Sequence, residues 1–145
     1  MSDLHIRPAT AADQPLIRQW VRREQLDPTA LQWPNFLMAE RAGEVVGFGQ
    51  VRPYPRCREL GSLVVHPDYR GQHIGEALVK ALLAREAGIV YLECEQHNEA
   101  FYARFGFRRI PWHAAPPPLR WKTLVGGLLA RLMGFQVIAM QRDPF

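Results

Sequence analysis

The sequence predicts a mixed α/β fold: a central, mostly antiparallel sheet of about seven strands flanked by helices, in one domain over residues 1–145. Three observations carry this. The chain has 145 residues, 48% of them hydrophobic, enough for one compact core. Seven short stretches have strand character and are separated by turn residues or by segments of helical period. One apolar stretch, 60–65, lacks alternation and is joined through a helix to the next, 89–94, which is the pattern of neighbouring parallel strands in a buried part of a sheet.

Leu4-His5-Ile6-Arg7-Pro8 forms the first strand. Thr10 and Asp13 have capping-box spacing, and Leu16, Ile17, Trp20 and Val21 then follow helical period, so a helix is expected over about 11–24. Asp27-Pro28 opens a second short helical turn that Trp33-Pro34 ends. Phe36 to Arg41 and Val45 to Val51 form an antiparallel pair around Ala42-Gly43-Glu44, and Pro53-Tyr54-Pro55 forces a loop. After the strand at 60–65, Ile74, Ala77, Leu78, Ala81 and Leu82 draw one apolar stripe, and Gly88 stops that helix. A short helix covers about 98–104, strands are expected at 107–110 and 135–141, and between those two strands lies an insertion. It holds the stiff run Pro116-Pro117-Pro118 and an extra apolar helix over 121–133 that contains Gly126 and Gly127.

The charge is +4, almost all from arginine, since Lys80 and Lys122 are the only lysines. Arginine suits phosphate and carboxylate. The arginines are scattered, which argues against nucleic acid as a partner. No apolar run approaches the ~18–20 residues of a membrane-crossing helix, so no integral membrane association is expected. The N-terminus lacks a signal-peptide pattern. Cys57 and Cys94 stand far apart in no metal-ligand spacing, and no histidine–carboxylate spacing suggests a metal. The expected location is therefore cytoplasmic, with both thiols free.

The stretch from Glu59 to Ala87 concentrates the chemistry. A strand, a turn with Gly71 and Gly75, and an amphipathic helix aim first-turn amides at one spot, which suits a phosphate. Arg70-Gly71-Gln72-His73-Ile74-Gly75 resembles the pyrophosphate loop of the GNAT superfamily of acetyl-CoA-dependent N-acetyltransferases. His73 stands where that loop usually has its middle glycine. Val64-Val65-His66-Pro67 before the loop and Tyr102-Ala103-Arg104-Phe105-Gly106-Phe107 near the end are also typical of the family, and so is the order of elements.

The resemblance implies an N-acetyltransferase that uses acetyl-CoA as co-substrate and needs no metal. It implies that Arg70, Gly71, Gln72, His73, Ile74, Gly75 and Glu76 cradle the pyrophosphate. It further implies that Leu63, Val64 and Val65 leave the next strand at a bulge, so that their backbone holds the pantetheine arm. Glu59 is the candidate general base, with pairing to Arg56 or Arg58, or anchoring of the substrate ammonium, as its rival roles. Tyr102 is the candidate general acid toward the leaving thiolate. Asn98 is a candidate pantetheine contact or a helix cap.

The acceptor implied is a small-molecule amine, with an amino acid favoured by Arg18, Arg22, Arg23, Arg52, Arg56 and Arg58 near the expected acceptor side. A protein N-terminus or lysine is the alternative, and a non-catalytic acyl-CoA-binding module is a reading from another class. The insertion is open to three roles: a lid, a homodimer contact, or a membrane-surface contact.

Overall fold

A computed structural model of the chain describes residues 3–144. Seven strands form one sheet in the order β1-β2-β3-β4-β5-β7-β6. They are β1 (Leu4–Pro8), β2 (Phe36–Arg41), β3 (Glu44–Pro53), β4 (Arg58–Val65), β5 (Val90–Glu95), β6 (Arg108–Ile110) and β7 (Val137–Arg142). The pairs β1/β2, β2/β3, β5/β7 and β6/β7 are antiparallel, and β4/β5 is parallel, with Glu59 opposite Tyr91. This is the mixed sheet that the sequence predicts. By internal contacts the chain divides into two compact units. One runs to Arg52 and resumes over Leu60–Arg85; the other takes Pro53–Glu59 and the chain from Glu86 onward.

In the first unit, α1 (Gln14–Arg23) follows a single 3-10 turn, Ala11–Asp13. Asp13 accepts the Thr10 amide at 2.8 Å and a fork from Arg7 at 2.8 and 3.0 Å, which fixes where the helix starts. Its apolar stripe buries Ile17, Trp20 and Val21 against Phe36, Met38, Phe48 and Val64. Fully burying one such aliphatic side chain stabilises by about 1.5–3 kcal/mol. Trp20 stacks on Phe48 with ring centroids 5.7 Å apart, so it is a core residue.

The opposite face of β3 carries Gly47 and Gly49 and receives α2 (Ile74–Leu83). A Cβ on Gly47 would lie 2.8 Å from the Val64 carbonyl oxygen and 3.4 Å from both Ile74 and Leu78. The missing side chain is what lets the Val64 carbonyl sit this close, with the α2 side chains just at contact distance.

Two expectations need correction here. Residues 27–32 form no helical turn. The chain instead makes an Asp27–Thr29 turn, in which the Thr29 amide donates to Asp27 at 2.9 Å, and a 3-10 turn begins at Trp33 where the helical turn was expected to end. The Asp27 side chain bonds its own backbone two residues on, which competes with helix formation. The helix expected to run to Gly88 ends at Leu83.

In the second unit, β7 lies between β5 and β6, and α4 (Leu119–Leu132) packs on β7. A short α3 (Glu99–Ala103) follows β5. Leu119, Ile110, Ala115, Ala139 and Cys57 form the core, with Tyr54 and Tyr91 against it. Helix α4 buries Leu119 and Thr123, yet Trp121, Val125, Leu128, Leu129 and Leu132 stay exposed. Among the described residues no helix is long and apolar enough to cross a membrane.

Candidate functional site

The loop between β4 and α2 is built for exposed amides. Pro67–Tyr69 makes a 3-10 turn, and Gly71 at φ +80° and His73 at φ +63° turn the chain into α2. The bond from the Ala77 amide to the His73 carbonyl, 3.1 Å, opens the helical ladder. The amides of Ile74, Gly75 and Glu76 therefore have no carbonyl of their own helix to bond, and they sit at its positive end. No atom lies within 4 Å of where a Gly71 Cβ would be, so a bulky group can approach that backbone. His73 adopts the left-handed conformation that a glycine takes without cost, which explains why glycine is the usual residue there.

The loop's side chains are mutually occupied. Arg70 reaches Glu24 at 3.2 Å, and Glu76 takes Lys80 at 3.1 Å and His73 at 3.3 Å. Arg70 thus carries the surface ion pair that competes with a phosphate for its guanidinium.

Ahead of the loop, Ser62 sits inside β4 with φ +51°, a left-handed kink in a strand and the mark of a bulge. Leu63 and Val65 are half-buried and Val64 is buried. The Ser62 hydroxyl accepts from Gln50 at 3.0 Å and from the buried Arg52 guanidinium at 2.8 Å. Arg52 also donates to Asp27 at 3.3 Å, and Gln50 to the Ala30 carbonyl at 3.2 Å. This network ties the 27–30 loop to the kinked strand. The kink itself has no signal in the sequence, because serine is not a residue that announces a positive φ.

Glu59, on β4 in the second unit, is 1% exposed. The Tyr54 hydroxyl donates at 3.2 Å. Lys122 Nζ, from α4, donates to both carboxylate oxygens at 2.9 and 3.1 Å, and lies 3.8 Å from Glu93 on β5. Arg58 forks onto Glu86, and the cation recorded on Glu59 is the lysine. The result is an ammonium held by two carboxylates, the nearer of which also takes a phenol, and 63 residues of sequence separate that ammonium from its main partner. Lys122 and Glu93 stand beside Glu59 in the fold and were not among the site residues expected from the sequence. Two faint signals pointed to them: Glu93 shares strand parity with the inward Tyr91, and Lys122 adjoins the buried Thr123 on the stripe begun by Leu119.

Tyr102 lies on α3, ringed by Phe101 and Phe107. Burial pushes its phenol well above the usual value near 10, with Cys94 adding to the shift. Burial likewise pushes the Cys94 thiol up to about 12, helped by the charge of Glu99. Both groups keep their protons at neutral pH. Asn98 occupies the N-cap position of α3 without a side-chain capping bond. A separate cleft of about 610 Å³ opens between α4 and the β6–β7 pair, lined by Arg109, Trp112, Thr123, Leu128 and Arg131 among others. It includes none of the candidate catalytic or cofactor-binding residues expected from the sequence.

Residues 4–107 match the model of the acetyltransferase (GNAT) family, and the chain belongs to that family. Among curated relatives, an amino-acid acetyltransferase of Actinobacillus pleuropneumoniae is 31% identical over 98 residues, covering 58% of this chain and 22% of that protein. The N-alpha-acetyltransferase RimI of Mycobacterium tuberculosis is 32% identical over 84 residues, covering 52% and 53%. The chain thus spans about a fifth of one relative and half of the other. Among solved structures, N-acetylglutamate synthase from Neisseria gonorrhoeae, complexed with coenzyme A and N-acetyl-glutamate, has a TM-score of 0.79 at 19% identity, covering 100% of this chain and 36% of that one. Rv2747 from Mycobacterium tuberculosis, in complex with CoA and NLQ, has a TM-score of 0.73 at 21% identity, covering 97% and 99%. These two likenesses establish the fold.

Proposed function

We propose that the chain transfers an acetyl group from acetyl-CoA to the primary amine of a small molecule, with amino acids the first class to test. The observation that carries this is Glu59, a buried carboxylate that holds a primary ammonium at 2.9 Å. An amine of pKa near 10.4 must give up a proton before it can attack a thioester, at a cost of about 4–5 kcal/mol at neutral pH. A carboxylate within hydrogen-bond reach of the nitrogen is the group that accepts it. The nitrogen then attacks the carbonyl carbon, and the C–S bond breaks.

Tyr102 enters the scheme as a hydrogen-bond donor to the departing sulfur. With its phenol raised above 10, it is a weaker acid than a thiol of pKa about 8.5, so it steadies the thiolate without surrendering its proton for good. The amides of Gly71 to Glu76 suit the pyrophosphate, because they combine unbonded N–H groups with open approach at Gly71. The backbone of Leu63, Val64 and Val65 beyond the Ser62 kink, together with Asn98, is assigned to the pantetheine arm. Arg70 would have to exchange Glu24 for phosphate. Two free thiols suit a reducing compartment such as the cytosol.

The similarity to an amino-acid acetyltransferase favours a small acceptor, and the similarity to RimI favours a protein N-terminus as the second reading. A panel of amino acids, other small amines and N-terminal peptides, assayed with acetyl-CoA by release of the free thiol, separates the two. Glu59→Gln should lower kcat by about 10²-fold or more while leaving the KM for acetyl-CoA within a few-fold. Turnover at the parent rate in that variant removes Glu59 as the base. Binding of acetyl-CoA without turnover of any amine would make the chain a binding module.

A further inference from the structure

We infer that Lys122 is an internal acyl acceptor: without an added amine, the chain acetylates its own Lys122 Nζ from acetyl-CoA. The inference rests on the reading of Glu59 as the base. An acceptor activated by Glu59 must place its nitrogen within hydrogen-bond reach of that carboxylate, and the acetyl carbonyl must come to that nitrogen. In this chain the nitrogen in that position is Lys122 Nζ, at 2.9 and 3.1 Å from the two carboxylate oxygens. A base in direct contact with the nitrogen is placed to take its proton before attack. The nucleophile is part of the chain, so no binding equilibrium dilutes it.

The chain contains its own contrast. Its only other lysine, Lys80, also pairs with a glutamate, Glu76, at 3.1 Å. Lys80 is two-thirds exposed, and its partner is an i,i+4 neighbour on the same helix. Lys122 is 24% exposed and meets a carboxylate that is 1% exposed. Only Lys122 combines a buried base with a fixed amine.

The step balances as ordinary acyl transfer. The ammonium gives one proton to Glu59, which passes it to solvent. The nitrogen lone pair forms the N–C bond to the acetyl carbon. The C–S bond breaks with its electron pair on the CoA sulfur, and the second nitrogen proton ends on that sulfur. The product is a neutral amide, so the ion pairs to Glu59 and Glu93 disappear. Helix α4 thereby loses the charge contact that ties it to β4 and β5.

The test takes the 145-residue chain, free of acetyl groups by intact mass, and incubates it with acetyl-CoA and no amine. Peptide mass mapping should find one acetyl group, on Lys122, at a first-order rate independent of protein concentration and at least tenfold faster than at Lys80. Glu59→Gln should slow it at least tenfold, and Lys122→Arg should leave the chain unmodified at that position. A rate proportional to protein concentration, or equal labelling of Lys80 and Lys122, overturns the inference. So does acetylation of an added amine with Lys122 untouched, an outcome that leaves the transferase reading standing. No acetyl group on Lys122 or on any amine of the panel overturns both.

Discussion

The Lys122–Glu59 pair makes a quantitative claim about stability. Replacing Lys122 with methionine keeps the length of the side chain and removes the cation. Glu59, 1% exposed, then keeps the Tyr54 hydroxyl but loses the ammonium that bonds both of its oxygens. Removing one partner of a fully buried pair costs about 3–5 kcal/mol. Lys122 is 24% exposed and Tyr54 still donates, so the loss here should be near 2 kcal/mol. For a chain of this size that lowers Tm by about 4–8 °C. Glu59→Gln leaves a lysine that still has Glu93 and solvent, and should cost about 1 kcal/mol. In the double variant neither charge remains to be uncompensated. Its loss should stay below about 2 kcal/mol, against roughly 3 if the two were additive. Urea unfolding of all four chains, followed by circular dichroism and tryptophan fluorescence with coincident transitions, measures the difference. A coupling within about 0.5 kcal/mol of zero would mean that the contact has no energetic weight, since independent sites scatter that much.

Two further outcomes follow from other parts of the fold. His73→Gly removes a left-handed penalty of roughly 1–2 kcal/mol and adds about 0.4–1 kcal/mol of unfolded-chain entropy, so stability should hold or rise slightly. Affinity for acetyl-CoA by calorimetry should be kept or improved, and a tenfold loss would show that the imidazole itself binds the cofactor. Asp13 has its carboxyl held below the usual range by the Arg7 guanidinium, so its contribution is full above the unfolded value of about 3.9 and is lost as pH falls through the lower folded value. Asp13→Asn should therefore lose about 1–2 kcal/mol at pH 7, and the gap to the parent in thermal melts should close below about pH 4; a gap unchanged by acid would refute the linkage.

The parts of the molecule that could be read from sequence are those governed by local pattern. The β4–loop–α2 segment was legible because apolar runs, two glycines and a 3.6-residue stripe all act within thirty residues, and the comparisons place the chain in the same family. The parallel β4/β5 pair followed from the helix that links them. Residues 27–32 misled because Asp27 and Thr29 bond one another and the buried Arg52 reaches in from β3. That choice is made by tertiary contacts and overrides helix propensity. Glu59 was legible as a strand-opening carboxylate, but its partner was not. A lysine on a helix beyond three prolines meets it only once the chain has folded, and nothing local in either segment encodes the other.

Gly47 carries a consequence for the amide loop. The first turn of α2 rests through Ile74 on a strand position with no side chain, with the Val64 carbonyl directly beside it. The place of that carbonyl, two residues before the loop begins, is thus set by an absence. A single methyl group at 47 would act like a shim under a lens mount. It would press first on the Val64 carbonyl, and the strand end that leads into the loop would shift while the loop's own sequence stayed intact.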